Sequence, residues 1–167
     1  MSNSTVEIER KYTAKIIGAI PVHEVVWSTQ GYIAVRPKWE WRIRKLDKKD
    51  KDGWFRDTWY TAIKIGNGFV RREFETKIPA WFGRFLMSFI DEPINKRRTH
   101  SHGWEIDEFI APSRLNGLVL VEAEIADVSH DMPPLPSGIK IIEDVTEHGG
   151  YSNKNLYRYG LPKGVTL

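Results

Sequence analysis

The chain has 167 residues, 41% of them apolar and 12% aromatic, enough for one folded domain spanning residues 1–167 with a real core. Lys and Arg number 25 against 22 Asp and Glu, a net charge of +3 that is too balanced to signal nucleic-acid binding by itself. Cysteine is absent, which excludes disulfides, zinc-thiolate sites and thiol catalysis, and no apolar run approaches the roughly 20 residues that span a membrane. A cytoplasmic protein without nucleic-acid or membrane partners is the expectation.

In chain order, the first segment, EIERK, sets Glu7, Glu9 and Lys11 at every second position, with Ile8 between the acids. PVHEVVW (21–27) reads as a short helix. EWRIRKL (40–46) alternates with a period of two, so Glu40, Arg42 and Arg44 share a strand face opposite Trp41 and Ile43. Residues 46–57, charged and broken by Gly53, read as a long hairpin connection, with Trp54 and Phe55 as a lid or a surface contact. WYTAIKI is rich in aromatic and β-branched residues and carries Lys64 between two isoleucines. FVRREFETKI groups Arg71, Glu73 and Glu75 against Phe74, leaving Arg72 on the other face.

PAWFGRFLMSFIDE has helical periodicity, with Pro79 at its start and Trp81, Phe85, Leu86 and Phe89 as the expected buried stripe. GWEIDEFI sets Glu105 and Asp107 against Trp104 and Ile106, and LVLVEAEIA sets Glu122 and Glu124 against Val121, Ala123 and Ile125. PSRLNG reads as a short helix between them, and the prolines of residues 131–138 forbid regular structure there. The class is α+β, dominated by antiparallel strands.

Each charged face, taken alone, fits a half-buried sheet with its polar side in water. The collective pattern adds a second reading. Same-face carboxylates lie only about 6.6 Å apart along a strand and repel unless something positive sits between them. Mg²⁺ or Mn²⁺ would do so, since both take hard oxygen ligands, while arginine and lysine on other strands would hold a polyanion. Period alone leaves a solvated face and a ligand-holding interior both open. His100 and His102 have a spacing that can ligate metal, though a solvated loop is the plainer reading, and the seven tryptophans read as core residues.

Seven segments in order resemble the CYTH superfamily, the triphosphate tunnel metalloenzymes. EIERK resembles the family's Glu-x-Glu-x-Lys signature, and QGYIA followed by EWRIRK its Gln-Gly-Tyr and Arg-x-Arg strands. TAIKIGNGFVRREFE, INKRRTH, WEIDEF, LVLVEAEI and EDVTEHGGYSNKNL resemble its later strands and its C-terminal signature. The family often has arginine before the tyrosine of that last signature, where this chain has Gly150. The resemblance implies a closed antiparallel β-barrel tunnel of about eight strands with flanking helices, charged inside and apolar outside.

It also implies site residues. Glu7, Glu9, Asp107, Glu122 and Glu124 would be metal ligands for Mg²⁺ or Mn²⁺. Lys11, Arg42, Arg44, Lys64, Arg71 and Arg98 would hold the triphosphate, with Glu73 and Glu75 balancing the basic cluster. Lys96 resembles a family lysine that helps activate water, Tyr32 the tyrosine near it, and Glu9 a carboxylate acting with Lys96. The implied activity is metal-dependent hydrolysis of a small triphosphate, tripolyphosphate first. Adenylate cyclase and thiamine triphosphatase belong to the same superfamily, and a non-enzymatic polyphosphate- or nucleotide-binding module is the rival outside catalysis. A homodimer is compatible with this reading.

Overall fold

A computed structural model describes residues 8–49, 52–67, 70–125 and 132–165. Nine strands form one antiparallel sheet: β1 (Ile8–Ile16), β2 (Glu24–Arg36), β3 (Trp39–Lys49), β4 (Phe55–Asn67), β5 (Val70–Ile78), β6 (Ile94–Ser101), β7 (Trp104–Ala111), β8 (Val119–Ile125) and β9 (Ile139–Asp144). Their order is β5-β4-β3-β2-β6-β7-β8-β1-β9. The sheet curls around a cavity, but among the described residues no ladder joins β5 to β9, so hydrogen bonds do not close it. A ninth strand, β9, was not expected. It pairs with the second half of β1, Tyr12 to Ile16, with a bulge at Thr13/Ala14 inside the ladder.

The segment 21–27 forms no helix: Glu24–Trp27 begin β2 and pair with β6, and Val26 and Trp27 pair with β3 as well. Its apolar residues suit either period, and Val25 and Val26, stiff at χ1, favour the extended form once both neighbours are strands. The hairpin connection is shorter than residues 46–57, because β3 runs to Lys49 and β4 begins at Phe55. Trp54 and Phe55 are both exposed there.

Helix α1 (Ala80–Met87) starts after Pro79, as expected, but buries a different face. Gly83, Leu86 and Ile90 face the sheet, with Ile43 and Trp59 beneath them, whereas Trp81, Phe85 and Phe89 are 69%, 54% and 65% exposed. Gly83 explains the orientation. A Cβ there would stand 2.3 Å from Trp59 Cε3, so only glycine lets the helix lie on that indole. The outer aromatics pack on one another instead, Phe85 against Phe89 at 5.1 Å between ring centres.

The concave face is charged along only part of its length. Phe109 shares a face with Glu105 and Asp107, and Leu120 with Glu122 and Glu124, by strand alternation. Both join a buried cluster with Ile94, Leu118, Val145, Tyr151 and Leu156. The C-terminal segment therefore fills one end of the curl: a 3-10 turn (Gly149–Tyr151) leads into α2 (Asn153–Tyr159). Ser152 caps α2 by accepting from Asn155 N–H at 3.3 Å, and Gly160 ends it at φ 73°. PSRLNG contains a single 3-10 turn, Ser113–Leu115, and residues 132–138 lack regular structure, both as expected.

Candidate active site

One cavity of about 630 Å³ lies within the curl, lined from β1, β2, β3, β4, β6, β7, β8 and α2. Ladder registers explain how its charges meet. Lys11 stands opposite Glu122 and Glu9 opposite Glu124 across β1 and β8, while Glu105 stands opposite Glu122 across β7 and β8. Two carboxylate pairs thus face each other directly, an arrangement that needs cations between them.

Lys11 supplies one, with Nζ 3.0 Å from Glu122 and 3.3 Å from Glu9. Burial alone would depress the Lys11 pKa, but Glu122 and Glu9 outweigh it and raise it. Burial and the neighbouring Glu122 charge push the Glu9 carboxyl above its ordinary value. Arg98 supplies the second cation: it donates to Asp107 from Nε at 2.6 Å and from Nη2 at 2.7 Å, reaches Glu122 at 3.3 Å, and pairs with Glu105.

Asp107 is 1% exposed and does not line the cavity. Both its oxygens are engaged, by Arg98 and by the Lys96 ammonium. Burial would raise its pKa, yet those two cations hold it well below the usual carboxylate range. Lys96 is also buried, and burial pushes it below its ordinary value against the pull of Asp107. It stands opposite Ser28 in the β2–β6 ladder, whereas Tyr32 lies four positions further along β2, on the order of 13 Å away. Burial raises the Tyr32 hydroxyl, which stays protonated.

A second, base-rich wall lies on β3, β4 and β5. Arg42 Nη2 donates to Glu73 at 2.9 Å and to Glu75 at 2.7 Å, reaching across strand β4 at Ala62, small and buried. Arg44 donates to Glu75 at 2.9 Å, and Lys64 sits 2.8 Å from Glu73. Burial would raise the Glu73 pKa, but Lys64, Arg42 and Arg44 outweigh it and lower it. Arg72 is exposed, and Phe74 is 62% exposed. The outer apolar face of β5 is therefore uncovered among the described residues.

Thus Glu9, Glu122, Glu124, Lys11, Arg42, Arg44, Lys64, Lys96, Arg98 and Tyr32 all line one cavity. Glu7 and the side chain of Arg71 lie outside the described residues. His100 lines the mouth, while His102 occupies the β6–β7 turn with its ring 4.8 Å from that of His23, so the two histidines do not converge. Among the described residues no three acids or histidines are gathered closely enough to hold a metal as they stand.

Several polar lining residues were not among those expected, Ser28, Gln30, Glu40 and Lys154 among them, and Ser28 Oγ, Gln30 Nε2, Arg42 Nε and Arg44 Nε are buried without a partner. For Ser28 and Gln30 the signal was parity: both share the inward face of β2 with Tyr32.

Among solved structures, the chain is similar to the crystal structure of the inorganic triphosphatase NE1496, with a TM-score of 0.63 and 24% identity, covering 90% of this chain and 93% of that one. The fold is shared. No family model and no curated protein matches the chain in sequence. Among the described residues no helix is long and apolar enough to cross a membrane.

Proposed function

We propose that this chain is a divalent-metal-dependent triphosphatase whose substrate is inorganic tripolyphosphate. The observation that carries the reading is one cavity in which six cations, Lys11, Arg42, Arg44, Lys64, Lys96 and Arg98, face Glu9, Glu122 and Glu124. The fold shared with an inorganic triphosphatase supports it. A plain anion binder would have no use for the acid wall.

The acid wall suits Mg²⁺ or Mn²⁺. Its donors are all hard oxygens, and Glu9 is held next to Glu122 at an electrostatic cost that a dication would relieve. Glu9, Glu122 and Glu124 would hold the ion, which supplies charge neutralisation at phosphoryl oxygens and an acidified water. Glu7 belongs to the same proposed set.

Arg42, Arg44 and Lys64 bind phosphoryl oxygens in place of Glu73 and Glu75, so the acids of β5 keep the wall folded until substrate replaces them. Lys11 and Arg98 line the same cavity from the acid wall and orient the chain of phosphates. Glu9, which faces the cavity from the acid wall, accepts the proton of the attacking water. Lys96 aligns that water from the cavity floor, fixed by ionised Asp107, which acts as a positioning residue in place of a metal ligand. The work is alignment and electrostatic stabilisation.

Phosphate release from tripolyphosphate with Mg²⁺ or Mn²⁺, abolished by chelator, is the expected result. Activity untouched by chelator would overturn the metal's role. ATP and thiamine triphosphate in the same panel, with cyclic product measured separately, test the cyclase and thiamine triphosphatase alternatives.

A further inference from the structure

The back of the base-rich wall is apolar and open. Glu40, Arg42 and Lys64 line the cavity, so strand alternation turns Trp39, Ile63 and Ile65 to the outer face. Phe74 joins them, between Glu73 and Glu75, which hold Arg42 on the inner side. The registers set these side chains next to one another: Ile65 stands opposite Trp39, and Ile63 opposite Phe74. Trp39 and Ile63 are each 41% exposed and Ile65 50%, which with Phe74 makes a flat apolar floor bordered by Arg72.

Helix α1 stands beside this floor as a ridge. It crosses the sheet over Trp59 and Ile43, and Ile90, just past its end, packs on Gly31 of β2. Asp57, Trp59 and Ile63 share the outer face of β4, so Asp57 and Ile63 lie on opposite sides of that crossing. Arg84 reaches Asp57 at 3.3 Å and fixes which flank of the helix faces which side. Phe82 and Phe89 lie about 140–160° around the helix from Arg84, on the flank toward Ile63. Phe82 and Trp41 indeed pack on one cluster. Phe85 and Phe89, both exposed and in contact, therefore rise from the edge of the floor, whereas Trp81 lies on the Arg84 side of the ridge.

Size and shape together identify what covers this surface. At about 150–250 Å² per aromatic side chain, Trp39, Phe74, Phe85 and Phe89 leave roughly 450 Å² of ring surface in water before the isoleucines are added. About 65% of a homodimer interface is apolar, so that area implies about 700 Å² per copy. Specific interfaces bury roughly 600–1,000 Å² on each side. A convex apolar ridge next to a flat apolar floor is complementary to itself under a two-fold rotation. An anionic lipid surface fits less well, since Asp91 and Glu92 are exposed where the ridge ends. We propose that the protein is a two-fold homodimer in which Phe85 and Phe89 of each copy lie on the floor of Ile63, Ile65 and Phe74 of the other. The cavity lies on the inner face of the same strands, so this interface is independent of what the cavity binds.

The test is sedimentation velocity across a concentration series. Wild type should run at the mass of two chains, with a dissociation constant of about 1 µM or below. Phe74→Glu sets its charge beside Arg72, and Phe85→Lys sets its charge in the last turn of α1, where the helix dipole favours a cation. Each chain should therefore still fold, which a cooperative thermal melt checks. Each variant alone should associate at least about 100-fold more weakly, because the two-fold axis buries the new charge twice. Mixed one to one, the variants should regain a dimer containing one chain of each: one ridge-on-floor contact is untouched and the other joins opposite charges. Wild type that runs as a single chain at about 100 µM overturns the dimer, and flotation of that single chain with phosphatidylglycerol vesicles would give the face to a lipid surface instead. Wild-type association by either variant overturns the choice of face. A mixture that stays monomeric while both variants melt cooperatively overturns the seating of ridge on floor.

Discussion

Glu122 is the carboxylate shared by both cations of the acid wall, since it meets Lys11 at 3.0 Å and Arg98 at 3.3 Å. Each of those cations has another acid, Glu9 for Lys11 and Asp107 for Arg98, so losing the Glu122 charge leaves no buried cation alone. Glu122→Gln should therefore cut phosphate release at least about 100-fold while changing stability by under about 1 kcal/mol. Steady-state rates beside a urea titration check both halves, and near-normal turnover would make Glu122 a structural ladder residue. Glu9 carries a pH signature of opposite origin. Its pKa is raised in the fold, so the native state favours the protonated form, and the stability this gives is lost as pH rises through the folded-state pKa. Metal must displace that proton, so Mn²⁺ affinity should rise with pH across the same window. Glu9→Gln should flatten both profiles, and a melting-temperature difference between variant and wild type that does not grow with pH would remove Glu9 from this role. At this scale the sequence was legible wherever charge alternated with apolar residues, because strand parity alone groups Glu9 with Lys11 and Arg42 with Arg44. It could not say that Asp107 lies behind the lining, bonded to Lys96 and Arg98. That depends on pairing between β6 and β7, where a bulge at Asn95/Lys96 shifts the register.

Helix α1 shows where element-level reading went wrong and why. Hydrophobicity puts Trp81, Phe85 and Phe89 inward, because they are the largest apolar residues at helical spacing. The sheet below already presents Trp59, and the helix lands on it through Gly83, turning those three rings outward. Size of the partner surface, not apolarity of the helix, chose the face. The consequence is measurable by denaturant unfolding: Leu86→Ala should cost about 2–5 kcal/mol, Trp81→Ala under about 1 kcal/mol. Gly83→Val, which must push Trp59 aside, should cost about 1–3 kcal/mol. The reverse order would restore the stripe that sequence favoured. Helix α2 was not expected, yet its signals stood in the chain: serine at the N-cap and glycine seven residues after its first helical residue, the two ends that helix stop rules name. Its seven residues carry little amphipathic period, so the caps, and Leu156 in the core, define it.

Across the whole molecule, ion pairing divides the charges into two self-compensating walls, and that division decides how the protein should answer to ligand. In the base-rich wall, Arg42, Arg44 and Lys64 meet only Glu73 and Glu75 in the pairs above, three cations against two acids. An incoming polyanion takes these cations from Glu73 and Glu75, which are 38% and 28% exposed and turn to water instead, so binding and folding draw on the same cations. At 100 times the dissociation constant a ligand adds about 2.7 kcal/mol to stability, which for a chain of this size raises the melting temperature by roughly 5–10 °C. Tripolyphosphate with Mg²⁺ should give a shift of that order, reduced by added salt because the contacts are ionic. Arg42→Ala separates the two uses of this wall. Lys64 still holds Glu73 and Arg44 still holds Glu75 in that variant, so the free protein should lose only a few degrees. The tripolyphosphate shift, which needs the freed guanidinium, should fall by more than half. A variant that melts much earlier yet keeps the full shift would make Arg42 a strut of the sheet, and the exchange of partners in the base-rich wall would have to be abandoned.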